Sequence, residues 1–469
     1  MSRNFFALSG VIFILLGGCT LAPKYTRPEA PVPADLPSGL AYEGEQAAPG
    51  APAAAEVRWQ DFFADQRLQQ VIEAALQNNR DLRTAALNAE RARALYGIQR
   101  AELLPVVDAA AIGSKQRVPA DLTGIGKSAT VEQYSVNLGI SSWEVDFFGR
   151  IRSLKERALE EYLASEQAHR GAQILLIAEV ATAYLTLAAD RENLRLTQST
   201  LEAQQATYDL IRRRHEVGLA PELDLRQAQT RLDAARVDMA LFTRQVAQDE
   251  NALDLLVGSP VPNELLPPDL SSVSPPLEIA PGASSDVLLG RPDILQAENL
   301  LRAAHANIGA ARAAFFPRIS LTAAVGTASD ELSGLFAPGS AAWSYAPQAV
   351  LPIFDARTWS ALEATKAERE IALAQYEGAI QSAFREVADA LAVQGTVQEQ
   401  LTSQESLVQA TAETYRLSNA RYQKGIDSFL GVLDAQRSLY AAQLRLIAIR
   451  LTRLANQVRL YAVLGGGAS

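Results

Sequence analysis

Tyr134-Ser135-Val136-Asn137-Leu138-Gly139-Ile140-Ser141 alternates apolar and small polar residues without a break. A period of two is the signature of a strand with one apolar and one polar face. A second run, Ile319-Ser320-Leu321-Thr322-Ala323-Ala324-Val325-Gly326, has the same pattern, and a partner strand is read from about Trp343 to Pro352. The strands are expected at about 105–117, 131–146, 317–328 and 342–353. Runs of roughly ten residues suffice to cross an outer membrane as tilted strands. Aromatic residues at their ends, among them Trp143, Phe147, Phe148, Phe315, Phe316, Trp343 and Tyr345, suit its two interfaces. The period alone is equally met by a soluble sandwich sheet with one wet face.

The two runs resemble each other because the chain is written twice. At an offset of 212, Asp81, Ala85, Gly97, Arg100 and Pro105 fall on Asp293, Ala297, Gly309, Arg312 and Pro317. At an offset of 207, Arg150, Ser153, Glu179, Tyr208, Arg214, Gly218 and Gly258 fall on Arg357, Ser360, Glu386, Tyr415, Arg421, Gly425 and Gly465. The drop of five is assigned to a shorter loop between the strands of the second copy. The division read from this is a first repeat over 59–258, a Pro-rich linker over 259–290, a second repeat over 291–465 and a tail over 466–469.

Each copy reads helix, strand, loop, strand, long helix, break, helix. Arg150 to Val217 holds no proline, and 68 helical residues would extend roughly 100 Å. Beyond the break at Gly218 and Pro221, Leu225, Leu232, Met239, Val246 and Leu253 recur every seven residues, with Ala228, Ala235, Phe242, Asp249 and Leu256 three positions later. That is a coiled-coil seam. Val432, Leu439 and Leu446 with Ala435, Ala442 and Ile449 repeat it until Arg453 and Asn456 interrupt it. Four strands per chain cannot close a barrel and would leave open edges in lipid. The chain must therefore associate, and three copies giving twelve strands would leave room for an aqueous pore. The fold class is thus a mixed α and β membrane protein: internally duplicated, with a long coiled-coil α-barrel and a trimeric twelve-stranded transmembrane β-barrel.

Residues 1–18 carry Arg3 and a short apolar stretch, and end at Leu16-Gly17-Gly18-Cys19. This reads as a secretion signal with a lipidation site at Cys19, the chain's one cysteine. Several acyl chains on one residue anchor durably in membrane lipid. Thr20 follows where an Asp would retain the protein at the inner membrane, so the outer membrane is expected; residues 19–58, rich in Pro and Ala, read as an extended tether. A net charge of −10 gives no basic excess to neutralise nucleic-acid phosphates. Three scattered histidines offer no metal site or catalytic triad, and no Gly-rich phosphate loop is present, so neither an enzyme nor a cofactor is expected.

The duplicated order, the segment Asp146-Phe147-Phe148-Gly149-Arg150, and the tips Arg214-His215-Glu216-Val217-Gly218-Leu219 and Arg421-Tyr422-Gln423-Lys424-Gly425-Ile426 resemble the outer-membrane efflux factors of TolC type, in their lipidated OprM-like branch. The resemblance covers essentially everything after Cys19. It implies a homotrimer with a long periplasmic tunnel, docked to a periplasmic adaptor protein and an inner-membrane proton-driven transporter. The implied function is a passive exit duct for multidrug or solvent efflux, with no catalysis. Related alternatives are a duct for type I protein secretion and a periplasmic coiled-coil scaffolding lipoprotein. By motif position, Val217, Gly218, Leu219, Lys424, Gly425 and Ile426 would touch the adaptor. Leu430 would form an apolar ring of the gate and Asp434 an acidic one, with Arg437 and Tyr422 in the bonds that hold it shut. Gln423 departs from the family, which often has Arg there. The repeat sets Asp434 opposite Gln227 (434 − 207), so only one copy brings an acid to this level.

Overall fold

A computed structural model describes residues 20–43, 52–124, 126–280 and 284–467. The helices are α1 (Trp59–Phe62), α2 (Gln66–Asn78), α3 (Arg80–Ala101), α4 (Arg150–Glu216), α5 (Glu222–Val257), α6 (Pro292–Ala313), α7 (Ala356–Gln423) and α8 (Phe429–Val463). The strands are β1 (Val107–Val118), β2 (Ala129–Glu144), β3 (Arg318–Ser329) and β4 (Ala341–Val350). The two copies therefore share one element order. The connections within the strand pairs, 119–128 and 330–340, are nearly equal in length, whereas β2 has 16 residues and β4 has 10. The offset falls because β4 is short, not because a loop is, which corrects the sequence expectation.

The chain folds into two compact units, each drawing on both copies. The first comprises residues 20–29, Asn88–Ser165 and Gln296–Tyr376, and holds the strands. They form one antiparallel sheet in the order β1-β2-β3-β4, in which β2 pairs with β3 across the repeat, for example Leu138 with Val325. A bulge lies between Ile140 and Trp143. No residue of the four strands is buried. A sandwich would bury one face of such a sheet against a second layer. The soluble-sandwich alternative therefore fails, and β1 and β4 remain as open edges.

In the same unit, the segment leading out of Thr20 is strapped down rather than loose. Glu298 of α6, only 2% exposed in its side chain, accepts from Tyr25 Oη at 3.1 Å, from Arg27 Nε at 3.1 Å and from Arg302 at 2.6 Å. The Arg302 guanidinium also lies 5.0 Å from the centre of the Tyr25 ring. Arg312 donates to the Leu21 carbonyl at 3.1 Å, and a Cβ on Gly309 would sit 2.8 Å from Ala22. The tether expected here is extended, but hydrogen bonds and an ion-pair node fix it in place.

The second unit comprises the described parts of Ala30–Leu87, Glu166–Leu295 and Glu377–Ser469. Part of α4 is long and apolar enough to cross a membrane, but most of that stretch is buried within the protein. Ile177, Val180, Ala181, Tyr184 and Leu185 are all core residues. Phe62 stacks on Tyr461 with ring centres 3.9 Å apart, and Tyr461 Oη donates to the Val57 carbonyl. Along α5, Ala228, Leu232, Ala235 and Leu253 are buried, as are Val432, Ala435, Ala442 and Ile449 on α8, so the seven-residue seam is the packed face. Asn456 does not end it: its amide donates to the Ala390 carbonyl at 3.0 Å, which satisfies the polar group inside the packing.

One seam position is anomalous. Asp249 is half-buried beside Asp190, with Oδ2 enclosed. Burial first, then the Asp190 charge, pushes its carboxyl up to about 7. The folded chain thus holds a proton that the unfolded chain has already released, and the stability contributed here falls as pH rises from the ordinary carboxylate range towards about 7. The melting temperature of the second unit should drop between about pH 4 and about pH 7, and Asp249→Asn should flatten that slope. An unchanged slope in the variant would place the titration elsewhere.

Candidate functional site

Both long helices end in the same way. Gly218 has φ +76° and Gly425 φ +71°, the left-handed region in which glycine avoids a Cβ clash. Leu219 N–H reaches back to the Arg214 carbonyl at 2.7 Å and Gly218 N–H to His215 at 2.9 Å. In the other copy Ile426 N–H reaches Arg421 at 3.0 Å and Gly425 N–H reaches Tyr422 at 2.9 Å. Each is a Schellman cap, which closes the orphan carbonyls of the last turn and reverses the chain. Pro221 then precedes α5 and Ser428 precedes α8. Space around both tip glycines is open, so Gly218→Ala and Gly425→Ala should each cost only about 1 kcal/mol, the left-handed penalty. Gly258→Ala should lower the melting temperature far more, because its Cβ would lie 2.6 Å from the Asn78 carbonyl oxygen. Equal effects of the two kinds of substitution would contradict this.

Beneath the caps, Ile211, Ala228, Phe429, Val432 and Leu433 form a buried cluster, with Tyr208, Leu225, Tyr415 and Tyr422 against it. Each fully buried aliphatic side chain here contributes roughly 1.5–3 kcal/mol, so the hairpin ends are held together by packing. Outward from the cluster the surface is apolar in an unusual way: Val217, Leu219, Leu223, Ile426 and Leu430 are all exposed. Lys424, Gly218 and Gly425 are exposed beside them.

The expected gate residues divide into two groups. Leu430 is 55% exposed, and the side chains of Asp434 and Arg437 are each 59% exposed. Arg437 donates to Asp434 Oδ1 at 2.5 Å across three residues of α8. Tyr422 is turned the other way: its ring packs on Phe429 at 5.2 Å, and its hydroxyl accepts from Arg214 Nη1 at 3.0 Å. The Arg214 guanidinium also lies 5.8 Å from the Tyr422 ring centre. Among the described residues no hydrogen bond joins Tyr422 to Asp434 or Arg437. Arg214 is a tip residue that the sequence reading did not single out, although the repeat set it opposite Arg421. In the second copy Arg421 binds Asp427 instead, through Nε at 2.5 Å and Nη2 at 3.0 Å. The exposed Gln423 leaves that pair intact. The lipidation site, Cys19, lies outside the described residues.

Comparisons with known proteins agree with this architecture. The sequence profile described as "Outer membrane efflux protein" matches residues 71–259 and again 283–466, well over half of the chain. The starts and ends of the two matches differ by 212 (283 − 71) and 207 (466 − 259), the two offsets of the repeat. The chain is 50% identical over 468 residues to the toluene efflux pump outer membrane protein TtgC of Pseudomonas putida, covering 100% of this chain and 96% of TtgC. It is 43% identical over 470 residues to the outer membrane protein OprJ of Pseudomonas aeruginosa, covering 100% and 97%. Among solved structures, a membrane protein from Pseudomonas aeruginosa superposes with a TM-score of 0.89 at 43% identity, covering 96% of this chain and 98% of that one. The open state of the MtrE outer membrane channel of Neisseria gonorrhoeae gives 0.86 at 38% identity, covering 96% and 99%. With its duplicated helices, edge-open sheet and glycine-capped tips, the chain belongs to the outer membrane efflux protein family and is a channel component of the bacterial outer membrane.

Proposed function

We propose that three copies of the chain close a twelve-stranded barrel in the outer membrane and continue it into a periplasmic helical tunnel that is a passive duct and performs no catalysis. The observation that carries this reading is the four-stranded sheet with no buried residue and two unpaired edges, since such edges are not tolerated in lipid. In this reading β4 of one copy lies beside β1 of the next, and acyl chains on Cys19 hold each copy at the membrane. Val217, Gly218, Leu219, Lys424, Gly425 and Ile426 meet a periplasmic adaptor, for which exposed apolar residues on capped, preorganised turns are suitable ground. Leu430 and Asp434 form successive rings of the closed gate. Arg437 of one copy shares its charge with Asp434, and Tyr422 acts indirectly by pinning the end of α7 to Arg214. Adaptor binding at the tips separates the α8 ends and opens the duct. The energy comes from an inner-membrane, proton-driven transporter. Relatives named for toluene and antibiotic efflux favour small, largely apolar molecules as cargo over secreted proteins. Particle mass in detergent tests the assembly: three chains per particle, with a folded form that shifts in gel mobility on heating, is expected. One chain per particle would contradict it.

A further inference from the structure

The second unit holds an open cleft of about 1180 Å³ between α4 and α5 of the first copy and α7 and α8 of the second. Val180, Ala181, Tyr184 and Leu185 lie on the opposite face of α4, which the linker covers. There Tyr184 Oη donates to the Leu265 carbonyl at 3.1 Å and Arg191 Nη1 to that of Pro267 at 2.9 Å. The cleft therefore opens on the face away from the linker. Its wall is mostly apolar, and two large side chains stand in it exposed, Leu175 at 57% and Leu255 at 79%.

The repeat shows which charges this wall has lost. Arg291 lies 2.8 Å from both Asp293 and Glu386. In the first copy the same three places are Asn79 (291 − 212), Asp81 (293 − 212) and Glu179 (386 − 207), so both carboxylates are kept and the cation is gone. The Asn79 amide donates to the Leu256 carbonyl at 2.8 Å instead. The pattern recurs along the cleft. Arg385 and Arg459 on the second-copy wall correspond to Ala178 (385 − 207) and Ala252 (459 − 207), while Asn456 corresponds to Asp249 (456 − 207). Glu179 and Asp249 thus line the cleft on a wall without its arginines. Burial first, and then the charges of Asp81 on Glu179 and of Asp190 and Glu250 on Asp249, raise both carboxyls, with no opposing basic group among the described residues.

We propose that this cleft is a subsite for amphipathic organic cations, with the charged centre at Glu179 and Asp249 and the apolar body on Leu175, Leu255 and Val393. Carboxylates whose neighbours only repel them gain from a cation brought beside them, and the apolar wall supplies the remaining affinity. An inorganic cation would use the acids but leave the leucines in water. A neutral solvent molecule would use the leucines but leave the acids uncompensated. The inference rests on the duct reading above: it names a resting place on the wall of the passage and the charge of the cargo that stops there.

Equilibrium dialysis of tetraphenylphosphonium against purified particles in a neutral detergent at about pH 8, where Asp249 is ionised, tests the site. Tetraphenylborate serves as a probe of the same shape and opposite charge. Asp249→Asn should weaken phosphonium binding about tenfold and Glu179→Gln severalfold, while borate binding stays the same or tightens. Equal phosphonium binding in the wild type and both variants would overturn the subsite. Variants that bind both ions equally less would overturn it too, since shape rather than charge would then have been lost. If Asp249→Asn does not fold, the exposed Glu179→Gln decides. Either negative result leaves the duct standing where the same particles conduct. Particles that show the expected binding but pass no current keep the subsite and remove the duct.

Discussion

Liposomes carrying the Asp434→Ala assembly should swell in permeant solutes about ten to a hundred times faster than liposomes carrying the wild type, the factor expected when about 1.4–2.8 kcal/mol is removed from the closed state. The estimate begins from the weakness of the pair in one chain. Asp434 and Arg437 are three residues apart on α8, both more than half exposed, and such a pair contributes roughly 0.3–0.5 kcal/mol. In the proposed gate the same groups meet three at a time in a constriction, where water is scarcer and each contact is worth more. Alanine removes all three at once. Arg437→Ala should act in the same direction, while Leu430, one turn earlier, still narrows the path and keeps the leak partial. Swelling equal to the wild type in both variants would return Asp434 and Arg437 to the status of a solvated helix pair.

Glu298→Ala should free the strap. Two arginines and a tyrosine converge on this one enclosed carboxylate, and removing it takes away the acceptor that joins Arg27 to Arg302. Both arginines are more than two-fifths exposed and stay partly hydrated, so the loss is smaller than for a fully buried pair, about 1–3 kcal/mol. Residues 20–29 should become sensitive to protease, and the first unit should melt earlier. Glu298→Gln, which keeps an acceptor of the same shape, should lose less. Acid should mimic the effect. Burial alone would raise the Glu298 carboxyl, but bonds from Arg27 and Arg302 outweigh it and hold the pKa below the ordinary carboxylate value. A depressed carboxylate contributes stability that is present above the unfolded value and is lost as pH falls through the folded one. Strap release should therefore appear on acidification below the ordinary carboxylate range, and be absent in Glu298→Gln. Protease resistance of residues 20–29 in the alanine variant would mean that the Leu21 and Ala22 contacts suffice.

Most of the architecture was legible in the sequence because it is periodic and repeated. Alternation at 134–141 and 319–326 marked two of the strands, the seven-residue spacing marked α5 and α8, and Gly218 and Gly425 marked the turns between helices. Those signals are local, and each arises from the element's own geometry. The parts that were not legible depend on partners distant in sequence. Nothing in residues 20–43 announces that Tyr25 and Arg27 meet Glu298, more than 250 positions away, so the sequence alone gives only an extended tether. The shortened β4 was attributed to a loop because an offset records how many residues are lost but not where. At the tip, the resemblance grouped Tyr422 with Asp434 and Arg437. In the single chain Tyr422 meets Arg214 and Phe429, a partnership that depends on how the two long helices pack.

The central claim is that copies of this chain enclose a water-filled path through the outer membrane, normally shut at its periplasmic end. Current through a planar bilayer containing purified wild-type particles of known mass tests it most directly. The account predicts discrete, rare, small conductance steps from particles of three chains, becoming larger or more frequent with Asp434→Ala. Particles verified as inserted trimers that pass no current in either form would contradict it.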